Sequence, residues 1–210
     1  MLPAGPPSRL CVLFRALLVP MALFAAGCSP YGLAIGAGAT AAVTVLQERS
    51  VEDAAKDATI QFMLNERLFA TNLDLFGDTT VIAVEGRVLI TGTTRTREHI
   101  EEVSRLAWTI PEVREVFNEV KFIAHEPGLD FGRDTSILAQ LRTALLRDRV
   151  INEINYSVTV NLGTVYIMGI AYQQAELDRV IAYARDIRGV RAVVSYALLK
   201  DDPRRRRAYQ

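Results

Sequence analysis

The sequence predicts an α+β protein built from two tandem copies of one small domain, each in the order helix, strand, strand, helix, strand. A glycine-flanked hairpin occurs twice, as VEGRVLITG from Val84 and as NLGTVYIMG from Asn161. The glycines of the two hairpins are 77 positions apart, and the same shift aligns apolar positions from about residue 57 to residue 200 without a gap. Within each copy the apolar period changes from helical to alternating and back, which indicates a repeated domain.

The first helix and the hairpin of each copy follow from spacing and turn chemistry. In the first copy, apolar side chains recur at helical spacing at Ile60, Leu64 and Leu68, in a helix expected to open near Asp57. Strands are predicted on both sides of residues 85–86, because a glycine there adopts positive φ without steric cost.

The second helix and the third strand complete each copy. In the first copy the buried stripe of this helix is expected at Ile100, Val103, Ala107 and Ile110. Thr94 or Thr96 can cap it, and residues 113–122 are predicted to form the third strand. A three-stranded mixed sheet with both helices packed on one face buries both helix stripes and permits a right-handed crossover.

The N-terminal residues have the pattern of an export signal. Arg9 and Arg15 precede a short apolar stretch, and small residues come directly before Cys28. This pattern resembles a bacterial lipoprotein signal, which implies cleavage before Cys28 and acylation of its thiol. An uncleaved anchor is the alternative, but the apolar run is shorter than the ~20 residues of a spanning helix, and Pro20 interrupts it.

Composition excludes several classes of function. The formal net charge of the chain is +0 and becomes minus two once the arginines of the signal are removed, which argues against nucleic-acid binding. With Cys11 removed and Cys28 acylated, no cysteine is left for a disulfide or a metal. The two histidines, His99 and His125, have no partner motif, and the chain has no nucleophile elbow or P-loop. We therefore expect no enzyme activity, no cofactor, no metal and no small-molecule substrate.

Several stretches resemble the BON domain family. They are VREVFNEV (113–120) in the first copy and DTSILAQLRTALL, VYIMG and IRGVRAVVS in the second. Two such units behind a lipoprotein signal resemble the dual-BON-domain outer-membrane lipoproteins of the DolP type. The resemblance implies a non-enzymatic protein on the periplasmic face of the outer membrane. It also implies that the second domain binds anionic phospholipid and that the protein supports envelope integrity and division-site organisation.

These patterns give the following expected organisation. The segments are a lipoprotein signal peptide (1–27), a small-residue tether (28–53), BON domain 1 (54–124), a linker (125–133), BON domain 2 (134–201) and a basic C-terminal tail (202–210).

The resemblance places phospholipid binding on the first helix of the second copy, expected from Thr135 to Arg149. Ile137, Leu141 and Leu145 share its core face, whereas Leu146 points away from them. The expected phospholipid-binding residues are Ser136, Gln140, Arg142, Leu146, Arg147 and Arg149. An exposed leucine among arginines suits an anionic membrane surface, and the alternative is an ordinary solvated helix face.

Two other features offer alternative binding surfaces. Phe62, Phe69 and Trp108 lie off the buried stripes of their helices and are expected to pack between the two domains or under the linker. Alternatively they form a protein-partner surface, which would make the chain an adaptor for an envelope or division-site complex. The run Arg204–Arg207 is expected to be a solvated end, or else a contact with anionic headgroups.

Overall fold

The computed structural model describes residues 48–124 and 130–206. The predicted signal peptide, Cys28, nearly all of the predicted tether, residues 125–129 of the predicted linker and Arg207 lie outside these ranges. Both predicted domains belong to one compact unit, Ala42–Gln210. Among the described residues, no helix is both long and apolar enough to cross a bilayer.

Domain 1 has the predicted order of elements with one short helix added. Its elements are α1 (Val51–Thr71), α2 (Leu73–Gly77), β1 (Thr79–Val84), β2 (Arg87–Thr94), α3 (Glu98–Trp108) and β3 (Glu115–Phe122). β1 pairs antiparallel with β2, and β2 pairs parallel with β3. The two-residue turn between β1 and β2 is confirmed at Glu85 and Gly86, which both have positive φ.

The helix starts differ from the predicted ones. α1 begins at Val51, because the Ser50 hydroxyl accepts a hydrogen bond from the backbone N–H of Asp53 at 3.0 Å and caps the helix there. Asp57 therefore lies inside the helix rather than at its start. The predicted threonine cap of α3 is also wrong, since the Thr94 hydroxyl accepts the backbone N–H of Thr96 in the loop before the helix.

Domain 2 repeats this architecture with a divided third strand. Its elements are α4 (Asp130–Arg147), a 3₁₀ turn (Glu153–Asn155), β4 (Tyr156–Asn161), β5 (Thr164–Ala171), α5 (Gln174–Asp186), β6 (Ala192–Ser195), β7 (Leu198–Leu199) and α6 (Pro203–Arg206). β4 pairs antiparallel with β5, while β6 and β7 both pair parallel with β5. α4 takes in residues 130–133 of the predicted linker and ends at Arg147. The predicted α+β fold is confirmed.

Three apolar clusters stabilise the fold, and one of them joins the two domains. Each domain has its own core between its helices and one face of its sheet. A third cluster joins the other faces of the two sheets, and its buried members are Ile82, Val84, Leu89, Tyr166, Met168 and Ile170. Successive strand residues point to opposite faces, so the buried strands serve both a domain core and this interface. The two sheets therefore form the inner layers, and the helices of the two domains form opposite outer layers.

Aromatic and polar contacts between the two domains accompany this apolar cluster. The ring of Phe117 stacks on Tyr196 with centroids 4.1 Å apart, and Arg87 donates to the Tyr196 carbonyl at 2.8 Å. The hydroxyls of Tyr166 and Tyr196 both donate to the Glu119 carboxylate, at 3.3 and 2.5 Å. Burial, followed by the nearby charge of Glu119, raises the pKa of Tyr166 to about 12. These hydroxyls therefore stay protonated and keep donating across the interface at physiological pH.

Candidate functional site

Helix α4 lies in the outer layer of domain 2 and presents one side to solvent. Ile137, Leu141 and Leu145 are fully buried in the domain core, as their spacing predicts. Leu146, one residue further along, is 68% exposed. Leu146 is therefore an exposed apolar side chain on a helix whose opposite side is packed into the core of domain 2.

The six predicted phospholipid-binding residues are all exposed, but they do not form one continuous row. Arg142 and Leu146 are neighbours on successive turns, and Arg149 follows just after the helix end. Ser136, Gln140 and Arg147 form a second row, roughly 120° away around the helix axis. Arg142 and Leu146 therefore belong to one row of the helix, and the other three helix residues belong to a different row.

Ser136 and Gln140 satisfy part of their hydrogen-bonding capacity locally. The Gln140 amide nitrogen lies 3.2 Å from both the carbonyl oxygen and the hydroxyl of Ser136. By contrast, Arg142, Arg147 and Arg149 make no ion pair or side-chain hydrogen bond with another residue that the structure describes. Their guanidinium groups are free to donate to an incoming phosphate, for which the arginine fork is well suited.

The loop after α4 is fixed by Asp148. Its carboxylate accepts the backbone N–H of Val150 at 2.9 Å and the hydroxyl of Tyr183 at 2.8 Å, and it also pairs with Arg179. The Val150 N–H first, and then Arg179 and Tyr183, lower the pKa of Asp148 to about 2. The loop that carries Arg149 and the exposed Val150 is therefore held against α5. Sequence reasoning missed Val150, although the repeat aligns it with an apolar residue of domain 1, Leu73.

The prediction that Phe62, Phe69 and Trp108 pack between the domains is wrong. All three are exposed on the outer helices of domain 1, with Phe62 at 72% and Phe69 at 58%. Helical spacing correctly placed them off the domain core, but the second domain covers the sheet and not the helices. The alternative of an exposed aromatic surface agrees with this arrangement.

The basic tail is also not fully solvated. Arg204 pairs with Asp202 at 2.7 Å, and Arg205 makes a two-pronged contact with the buried Glu85 carboxylate of domain 1. Arg205 also donates to the Glu48 carbonyl at 2.9 Å, so it joins the start of the described chain to both domains. The expectation of a solvated end is therefore wrong for Arg205, and this side chain is not available to a headgroup.

Comparison with known families agrees with this geometry. The BON domain family matches residues 56–124 and 133–199, one match in each half of the folded region. The chain belongs to the BON domain family. Domains of this family are associated with phospholipid membranes and are generally non-enzymatic.

Two curated relatives are similar to this chain over 151 residues each. An uncharacterized protein in the gshII 5′ region of Anaplasma centrale is 38% identical over 151 residues, which cover 71% of this chain and 99% of that protein. A 21 kDa hemolysin of Actinobacillus pleuropneumoniae is 26% identical over 151 residues, covering 71% of this chain and 70% of the hemolysin.

The solved structures found are distant in geometry. A structure of CdsD, a structural protein of the type III secretion system of Chlamydia trachomatis, has 18% sequence identity and a TM-score of 0.28. The match covers 68% of this chain and 63% of that one. A second structure, of the C-terminal domain of CdsD, also has a TM-score of 0.28 and 18% identity.

A cleft also lies between the two BON domains, with a volume of about 360 Å³. Domain 1 contributes Asp78 and three threonines to its wall, and domain 2 contributes Asp134, Thr159 and Asn161. Asp134 is already occupied by two backbone N–H groups of its hairpin, and Asn161 donates to the Gly92 carbonyl at 2.7 Å. Within the described ranges, no group of three or more histidine, cysteine, aspartate or glutamate side chains could hold a metal.

Proposed function

We propose that this chain is a non-enzymatic, lipid-anchored envelope protein whose second BON domain binds anionic phospholipid through α4. One observation carries the proposal: Leu146 is exposed on a rigid helix, beside arginines that have no partner among the described residues. Arg142 and Arg149 supply attraction to phosphate, and Leu146 and Val150 supply apolar contact just below the headgroups. Ser136, Gln140 and Arg147 extend the contact along the second row of the helix.

The magnitudes indicate a weak, reversible contact. A cation near an anionic bilayer surface contributes about 1 kcal/mol, and salt screens this attraction. Burying one leucine adds about 2 kcal/mol. Such a contact orients a protein that is already tethered, because the tether keeps the helix at a high effective concentration near the bilayer.

The tether is the second part of the proposal. Cleavage after residue 27 and acylation of Cys28 would anchor the chain in the outer membrane, facing the periplasm, where it would support envelope integrity. We expect Cys28→Ala to give an unacylated chain that does not reach the outer membrane. Recovery of this variant as a normally acylated outer-membrane protein would rule out the anchor.

Vesicle flotation tests the lipid site. The probe is a set of vesicles of phosphatidylethanolamine with or without phosphatidylglycerol, mixed with the chain lacking its predicted signal peptide. Arg142→Glu and Leu146→Glu should each reduce binding to the anionic vesicles by about tenfold, through loss of an attraction and of an apolar contact. Both residues are exposed, so circular dichroism should show unchanged folding.

Arg185→Glu is the matched control. Arg185 is exposed on α5, and the substitution changes net charge by the same amount as Arg142→Glu. We expect it to reduce vesicle binding much less. If the double variant Arg142→Glu, Leu146→Glu floats with anionic vesicles as well as the parent does, the lipid site is not on α4.

A second candidate function is protein binding through domain 1. The exposure of Phe62, Phe69 and Trp108 favours it, since aromatic side chains are enriched where proteins meet. In this alternative the chain is an adaptor for an envelope or division-site complex. Substitution of these aromatics would then affect envelope integrity, while variants of α4 would not.

A further inference from the structure

The outer side of domain 1 carries an apolar surface that its own domain does not cover. Phe62 and Phe69 lie on the solvent side of α1, and Leu73 and Phe76 continue the surface on α2. The rings of Phe69 and Phe76 meet edge to face with centroids 5.5 Å apart. Two exposed carboxylates, Glu66 and Asp74, lie on the same two helices. We call these six residues the acidic aromatic face.

The charges of this face are unmatched. Neither Glu66 nor Asp74 makes an ion pair with another residue in the ranges 48–124 and 130–206. A large apolar patch bordered by unpaired charge of one sign is typical of a surface that another molecule covers.

The repeat shows that the equivalent side of domain 2 has the opposite charge. The 77-residue shift aligns Phe69 with Leu146 and Leu73 with Val150, and all four are exposed. In domain 1 the positions of Arg142, Arg147 and Arg149 are occupied by Asn65, Ala70 and Asn72. The two domains therefore present corresponding apolar surfaces, one with carboxylates and one with guanidinium groups.

We propose that the acidic aromatic face binds α4 of a second copy of this chain. In this contact Leu146 and Val150 of one copy pack on Phe69 and Leu73 of the other. The arginines beside Leu146 pair with Glu66 and Asp74. The contact uses the helix of the proposed lipid site, but it does not depend on lipid binding.

The layer arrangement determines how such copies assemble. The two surfaces lie in opposite outer layers, so one chain cannot bring its own two surfaces together. Two different surfaces meet in each contact, so the association is head to tail and leaves one surface of each kind free at the ends. Because α4 is the shared element, binding of anionic lipid and binding of a second copy exclude each other.

An anionic membrane is a poorer occupant for this face. Glu66 and Asp74 would be repelled by phosphatidylglycerol headgroups, and desolvating them against a bilayer is unfavourable. A basic amphipathic helix gives them partners and covers the aromatic rings at the same time.

Sedimentation velocity on the chain without its predicted signal peptide, with Cys28→Ser, tests the proposal. At low salt the average mass should rise with protein concentration beyond that of two chains, and the rise should be suppressed at about 500 mM salt. Glu66→Arg with Asp74→Arg should give a monomer, and so should Arg142→Ser with Arg149→Ser, which removes the positive charge without reversing it. Each double variant keeps one intact surface, and the two altered surfaces do not attract each other, so an equimolar mixture of the two should form a complex of two chains and nothing larger.

The controls separate this proposal from the lipid site. Glu98→Arg with Glu101→Arg makes the same charge change on exposed residues of α3 and should leave the association unchanged. The Glu66→Arg, Asp74→Arg variant should still float with phosphatidylglycerol vesicles, since its α4 is intact. A parent chain that stays monomeric at low salt, or a mixture that forms no two-chain complex, overturns the proposal. Loss of vesicle binding in the Glu66→Arg, Asp74→Arg variant would instead identify the face as a membrane contact and overturn it too.

Discussion

Asp57 and Asp134 occupy equivalent positions, and each closes the hairpin of its own domain. The Asp57 carboxylate accepts the backbone N–H groups of Glu85 and Gly86 at 2.8 and 2.9 Å. Asp134 accepts those of Leu162 and the following glycine at 2.6 and 2.8 Å. Burial raises the pKa of Asp57, while these backbone donors and Arg49 act in the opposite direction. One helix carboxylate per domain therefore binds the turn that the repeated glycine makes possible.

The two turn glycines should differ in their tolerance of a side chain. Gly86 and Gly163 have φ of +71° and +76°, which a β-branched residue adopts poorly. A Cβ at Gly86 would lie 2.6 Å from the Glu112 carbonyl oxygen, whereas at Gly163 its nearest neighbours are at 3.1 Å, in the side chain of Arg191 rather than in the backbone. We expect Gly86→Val to destabilise by about 3 kcal/mol and Gly163→Val by about 2 kcal/mol. Thermal unfolding measures both, and equal stability of variants and parent would contradict the turn geometry.

At the level of elements, helical spacing predicted which side of each helix is buried, but not what covers the other faces of the sheets. The strand sequences contain a further signal: VIAV (81–84) and VLI (88–90) are apolar at consecutive positions, as in strands buried on both faces. Hydrogen bonds from a side chain to a distant backbone, such as those of Asp57, have no sequence period. For that reason the sequence pattern alone predicts Asp57 at a helix start, where the structure has it within the helix.

The loop after α4 should lose stability in acid. The folded pKa of Asp148 is lowered to about 2, below its unfolded value of about 3.9, so its contribution is present above about pH 4 and is lost as pH falls towards 2. Asp148→Asn should lower the unfolding temperature at pH 7. It should also reduce the fall in unfolding temperature between about pH 4 and about pH 2, the range set by the unfolded and folded pKa values of Asp148. Asp178→Asn, an exposed carboxylate of α5, is the control. An unchanged acid profile in Asp148→Asn would contradict the assigned contacts.

At the scale of the whole molecule, the two domains are one body because their sheets share a buried cluster and a buried ion pair closes one end. The Arg205 side chain is 14% exposed and contacts Glu85 at 2.8 Å, far away in sequence. Its position in a run of arginines suggested a solvated tail, because composition cannot show that one of them meets a buried carboxylate. The exposure of Leu146 was easier to predict, since it follows from the core spacing of its own helix.

Substitution of Arg205 should therefore cost more stability than substitution of its neighbour Arg204. Arg205→Ala leaves the buried Glu85 carboxylate without its partner and should destabilise the protein by about 3 kcal/mol. Arg204→Ala removes only an exposed contact with Asp202 and should change stability by less than about 1 kcal/mol. Chemical denaturation of both variants measures the difference. Equal effects would show that Arg205 does not link the domains.

The most direct test of the central claim, that α4 is the lipid-binding element, is a residue-resolved NMR titration. The chain without its predicted signal peptide, with Cys28→Ser, is titrated, at a concentration at which it is a monomer, with bicelles that contain phosphatidylglycerol and, in parallel, with neutral bicelles. We expect the amide signals of residues 139–150 to shift or broaden with the anionic bicelles only, while those of residues 62–76 in domain 1 do not change. Changes confined to residues 62–76, with α4 unaffected, would contradict it.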